Sequence, residues 1–66
     1  MRIIVNGAAR EVSAQSDLAA ALAQLGFGEA VVATAVNGEF VPVAARSTTL
    51  LNAGDQLEVL APMQGG

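Results

Sequence analysis

The side chains of this chain offer almost nothing that makes or breaks covalent bonds. Its 66 residues include no Cys, His, Lys, Tyr or Trp, so thiol, imidazole, Schiff-base and phenol chemistry have no carrier. The hydroxyls of Ser13, Ser16, Thr34, Ser47, Thr48 and Thr49 would need a neighbouring base to act as nucleophiles. The carboxylates Glu11, Asp17, Glu29, Glu39, Asp55 and Glu58 follow no acid/base spacing. Asp17 reads as a helix cap, Asp55 as a turn residue, and Glu11 and Glu58 as solvated strand positions. Gly26-Phe27-Gly28 lacks the glycine spacing and the lysine of a phosphate loop, and it follows a helix instead of a strand. Cysteine and histidine being absent, the usual zinc sites are excluded, and no metal site is expected.

The remaining group is a main-chain one. The sequence closes on Pro62-Met63-Gln64-Gly65-Gly66, and the carboxylate of Gly66 is its one unusual chemical handle. Two residues without Cβ make a thin, adaptable end able to thread a slot that would exclude branched side chains. A carboxylate is a poor acyl donor, because its charge repels nucleophiles and its oxygen leaves badly. Joining it to AMP from ATP removes both defects, and a sulfur nucleophile can then displace AMP to leave a thiocarboxylate. In that chemistry the chain is a substrate and carrier, not an enzyme.

An arm of this kind needs a folded body to present it. "RIIVNGAAREV" contains two extended runs, Arg2 to Val5 and Ala8 to Val12, joined at Asn6-Gly7, a dipeptide that accepts the positive φ angles of a type I′ hairpin turn. In the second run Arg10 and Val12 fall on one face and Glu11 on the other. "SDLAAALAQLGFG" changes period: Leu18, Leu22 and Leu25 form one helical stripe. Ser16 or Asp17 is positioned to cap its start and Gly26 to end it. The intervening alanines favour helix and let it lie close to a sheet.

"AVVATAVNGEFVPV" predicts a second hairpin, Ala30 to Val36 and Glu39 to Val43, around Asn37-Gly38. Pro42, lacking an N–H, points to an edge strand or a strand end. "AARSTT" reads as an irregular connection, Asn52 to Asp55 as a turn, and Leu57 to Leu60 as a last strand stopped by Pro62.

The order strand, strand, helix, strand, strand, strand predicts a small α+β domain, one mixed sheet of four to five strands packed on one helix. A single domain is expected over residues 1–62, with a flexible carboxyl-terminal tail over residues 63–66. Fold analogy to the β-grasp arrangement adds that the first and last strands lie side by side and parallel.

Composition excludes several function classes. Three arginines against six carboxylates give a net charge of −3, and Arg2, Arg10 and Arg46 are scattered, which argues against nucleic-acid binding. No apolar run approaches a bilayer span, and the sequence starts without the region order of a signal peptide. A cytoplasmic protein is the expectation.

"IIVNG" near the start, "AVNGEFVP" and "LNAGDQLEVLAPMQGG" together resemble the ThiS family of sulfur carriers in thiamine biosynthesis, which are ubiquitin-like β-grasp proteins. The resemblance covers essentially the whole chain. It implies that Gly66 is adenylated by a ThiF-like adenylyltransferase, which consumes ATP with Mg while the carrier itself binds no cofactor. Sulfur relayed from a cysteine desulfurase then gives the thiocarboxylate, and a ThiG-like thiazole synthase takes the sulfur into the thiazole ring. Gly65 would supply slimness beside the reacting centre, and Gln64 and Met63 would contact the partner slots through which the tail threads.

Three other readings share parts of this pattern. The small subunit of molybdopterin synthase, MoaD, is similar in fold, tail and activation. A ubiquitin-like modifier would spend the same activated glycine on target lysines. A passive interaction module would bind through its sheet and tolerate loss of Gly65 and Gly66. The sheet face opposite the helix, with apolar positions among Val31 to Val43, is the candidate docking surface.

Overall fold

The computed structural model describes residues 1–61. Pro62, the predicted domain boundary there and the four tail positions therefore lie outside the described residues. Strands β1 (Arg2–Val5) and β2 (Ala8–Glu11) are followed by helix α1 (Leu18–Gln24). Next come β3 (Ala33–Val36), β4 (Glu39–Val41), a 3₁₀ helix (Val43–Thr48) and β5 (Gln56–Leu60). The five strands form one sheet in the order β2-β1-β5-β3-β4. β1 and β5 run parallel, while β5 with β3, β1 with β2 and β3 with β4 are antiparallel. This is the β-grasp topology, and the expected parallel pairing of first and last strands is present.

The hairpins form where the turn chemistry dictates. Asn6 and Asn37 take φ of 50° and 51°, and the glycines after them φ of 85° and 84°, the paired left-handed conformations of a type I′ turn. The helix also ends as its sequence predicts. Asp17, rather than Ser16, caps the start, its Oδ1 accepting from the Ala20 N–H at 2.7 Å. At the other end Gly26 takes φ 94°; its N–H donates to Ala23 C=O at 3.2 Å and that of Phe27 to Leu22 C=O at 2.8 Å. Those two bonds are a Schellman closure, which only a residue tolerant of positive φ completes cheaply.

Alternation places the core. Ile3 and Val5 of β1, Leu57 and Val59 of β5 and Val41 of β4 bury their side chains against Leu18, Ala21 and Leu22 of α1, with Val12 and Leu51 completing the cluster. Leu25, the third member of the helical stripe, packs at its margin. Arg10 pairs across from inward-facing Ile3, so it shares that face with Val12, although its side chain is exposed.

Four predicted strand boundaries shift: β5 begins one residue early, at Gln56, and two of the others turn on Pro42. β3 begins at Ala33 instead of Ala30, because Ala33 pairs with Leu60, the final residue of β5. On its other side Ala33 would meet Pro42, which has no N–H to give. Residues 30–32 thus have no strand partner among the described residues, and Val31 stands 79% exposed. β4 stops at Val41 instead of Val43 for the same reason, and Pro42, with φ −69° and ψ 160°, opens the 3₁₀ helix. That helix occupies the predicted irregular connection; its Thr48 and Thr49 hydroxyls donate back to Ala45 C=O at 3.1 and 2.7 Å. β2 ends at Glu11 instead of Val12, although the Val12 N–H still reaches the Met1 carbonyl at 2.9 Å.

Arg46 ties this connection to the sheet. Its Nη2 donates to the Val32 carbonyl at 2.6 Å and its Nε to Thr34 Oγ1 at 3.1 Å. The buried Thr34 hydroxyl in turn donates to Val41 C=O at 2.8 Å. Thr34→Val removes the acceptor and the donor together, stranding a guanidinium N–H in a half-buried position. A loss of about 1–3 kcal/mol is expected, read as a lower midpoint in urea at unchanged slope.

Candidate functional site

The arm's root is the part of the site that the described residues define. Met63, Gln64, Gly65 and Gly66 themselves lie outside them. β5 occupies the middle of the sheet, with β1 on one side and β3 on the other, so both rows of its backbone groups are engaged. A central strand is the least compliant place from which an arm could leave.

Both ends of β5 are also gripped by side chains. At its start Asn37 Oδ1 accepts from the Gln56 N–H at 3.0 Å, and Asn37 Nδ2 donates to Asp55 Oδ1 at 3.1 Å. At its far end Asn6 Oδ1 accepts from the Val59 N–H at 2.9 Å, while Asn6 Nδ2 donates to Val59 C=O at 3.0 Å. Sequence reasoning assigned both asparagines to turns alone. Nothing in sequence spacing marks a side chain that reaches across 53 positions.

The outer face of the sheet, away from α1, carries exposed apolar side chains around Glu58 beside this root. Phe40 on β4 pairs with Ala35 on β3, and Ala35 with Glu58 and Ala33 with Leu60 on β5. Phe40 and Leu60 are 69% and 64% exposed. The predicted docking stretch, Val31 to Val43, is therefore only partly outward. Phe40, Ala33 and Ala35 face out, whereas Val41 and Val36 pack against the core. Leu60, outside the predicted stretch, completes the patch at the point where the chain leaves the sheet.

The carboxylates take structural places. Asp17 caps α1, and Asp55 closes the 52–55 turn by accepting from the Asn52 N–H at 2.8 Å. Glu11 and Glu58 are exposed strand positions. Among the described residues no three acidic side chains gather where they could hold a metal ion, and no helix is long and apolar enough to cross a membrane.

The model of the ThiS family matches residues 3–66. The chain belongs to the ThiS family. Membership places it among the ThiS sulfur carriers of thiamine biosynthesis. The crystal structure of the thiamine biosynthesis protein ThiS from Geobacter metallireducens superposes with a TM-score of 0.86 at 30% identity, with all of both chains covered. A solution structure of a thiamine biosynthesis protein from that organism gives 0.80 at 29% identity, over all of this chain and 88% of the other. The chain is also 36% identical, over its whole length, to part of a thiazole synthase from Paramagnetospirillum magneticum, spanning 20% of that protein. A ThiS-like unit thus occurs within a much longer polypeptide of that name.

Proposed function

We propose that this ThiS-family chain carries sulfur as a thiocarboxylate on Gly66. A Gly66 carboxylate oxygen bonds to the α-phosphorus of ATP on a ThiF-like adenylyltransferase, with Mg, and pyrophosphate leaves. The outer sulfur of a cysteine desulfurase persulfide, released as sulfide when a thiol reductant cleaves the S–S bond and is itself oxidised to disulfide, then attacks the carbonyl carbon, and AMP departs with the original oxygen. The resulting thiocarboxylate gives up its sulfur to a ThiG-like thiazole synthase. Gly65 keeps the arm slim at the reacting end, and Gln64 and Met63 line the slots it threads. Residues 1–62 act as the body and 63–66 as the arm, and the ATP requirement fits a cytoplasmic site of action.

The observation that carries this reading is the family match running to the last glycine, with the arm rooted on a strand fixed on both sides. The thiazole synthase that contains a similar unit supports the choice of acceptor. The test is the intact mass of the chain after incubation with ATP, the adenylating enzyme and a sulfur source, with fragmentation to place any change. A gain matching one oxygen replaced by sulfur, confined to Gly66, is expected. An unchanged Gly66, or a Gly66 found instead in isopeptide linkage to lysines of other proteins, would refute it.

The Phe40 and Leu60 patch is the surface on which the activating partner seats the body while the arm reaches inward. Apolar side chains left exposed on a sheet face are what an interface core is made from. Phe40→Thr and Leu60→Thr keep strand propensity and should shift folding stability by no more than about 0.5 kcal/mol. Together they should weaken partner affinity about tenfold or more, measured by titration calorimetry against melting curves of the same variants.

A further inference from the structure

β1 and β5 exchange backbone hydrogen bonds only as far as β1 lasts. The Ile4 N–H donates to Asp55 C=O and the Asn6 N–H to Leu57 C=O, both at 2.9 Å. Beyond Asn6 the backbone turns away into β2. One step further along β5, the N–H and C=O of Val59 face a lane that holds no strand among the described residues, and Val59 is 6% exposed. The Asn6 carboxamide fills the lane: it presents an acceptor and a donor as a peptide unit would, and bonds both groups of Val59. Val59 lies two residues before Ala61, where the described chain stops.

The second Asn-Gly turn provides an internal contrast. Asn37 has nearly the same φ as Asn6 and also makes two side-chain hydrogen bonds, but to the opposite end of β5. One asparagine fixes where the strand enters the sheet, the other where it leaves.

We propose that Asn6 is a positioning residue for the carboxyl-terminal arm. Its carboxamide keeps the last residues of β5 in the sheet, so the point at which the chain leaves the sheet is set before a partner binds. This inference rests on the carrier reading above. Without the clamp, the end of β5 frays, and each additional backbone unit to be ordered on binding raises its cost. The chemistry at Gly66 is untouched.

Asn6→Gly is the variant of choice, because glycine keeps the left-handed turn while deleting the carboxamide. Asn37→Gly does the same at the other end. Pyrophosphate exchange by a ThiF-like adenylyltransferase, with the full chain as varied substrate, would be measured beside amide hydrogen exchange and thermal melts. For Asn6→Gly, KM should rise about tenfold at unchanged kcat, with faster exchange at the Val59 amide. Asn37→Gly should lower the melting temperature similarly and leave KM alone. Asn6→Asp, which retains the acceptor for the Val59 N–H and loses the donor, should fall between wild type and Asn6→Gly. Equal KM changes in Asn6→Gly and Asn37→Gly, or none in either, would overturn the positioning role. A wild-type chain that is never adenylated would overturn the carrier reading and this proposal with it, a result distinct from the other two.

Discussion

Deletion of Gly66 is expected to abolish adenylation completely while leaving the melting curve unchanged. The two effects separate because they rest on different parts of the chain. Among the described residues, each of the buried side chains that make the core lies at or before Val59, and a terminal residue beyond the last strand adds little to the body's stability. Activation, in contrast, requires the carboxylate to reach the α-phosphorus, and a chain one residue shorter ends on Gly65 about one extended step, roughly 3.5 Å, short of it. A displacement of that size removes a reacting atom from attack distance altogether. Pyrophosphate exchange measured beside circular dichroism checks both halves. Normal exchange by the shortened chain would return the protein to the class of passive binding modules.

Leu57→Ala has the opposite profile: the body fails. Leu57 is 1% exposed on the central strand and belongs to the same cluster as Ile3, Leu18 and Leu22. Truncating a fully buried leucine costs about 2–5 kcal/mol, the larger figure where the walls cannot collapse into the space. Here those walls are a sheet and a short helix tied by a cap and a Schellman closure, so collapse is limited. A domain of this size has a total stability of only about 3–10 kcal/mol, which the substitution largely consumes. Urea titration should show a midpoint near zero denaturant, or no folded baseline, and a midpoint within about 0.5 M of wild type would contradict this packing description.

The parts of the fold that sequence disclosed are those set by local physics. Asn6-Gly7 and Asn37-Gly38 are legible because a pair of left-handed residues admits few dipeptides. The leucine stripe is legible because one face of α1 must be apolar, and Gly26 because the closure needs positive φ. What stayed hidden depends on neighbours distant in the chain. The end of β3 at Ala33 is decided by where β5 stops and by the missing N–H of Pro42. The order in Val43–Thr48 is decided by an arginine that finds the carbonyl of Val32. Leu60 reads as one more strand residue until the register shows it beside Ala33 on the outer face.

The candidate site, the main-chain carboxylate of Gly66, was legible in the sequence as an expectation, since such a group needs no constellation of side chains to announce it. Its support was not: the carboxamide of Asn6 looks like turn chemistry in the sequence and acts on Val59 in the fold.

The position of β5 also governs how the molecule assembles. β1 with β2, and β3 with β4, are local hairpins, yet in the sheet they are not neighbours; β5 alone joins them. Until residues 56–60 arrive, the chain holds two separate ribbons and a helix with nothing continuous to lie upon, and an isolated hairpin is marginal in water. Closing the sheet demands the parallel contact between β1 and β5, the most distant pairing in the chain and the slowest kind to find. A chain cut before β5 therefore has neither a stable body nor an arm. The folded population is drawn from chains that have already gained the strand from which the arm departs, so folding itself sorts complete carriers from incomplete ones before any partner meets them.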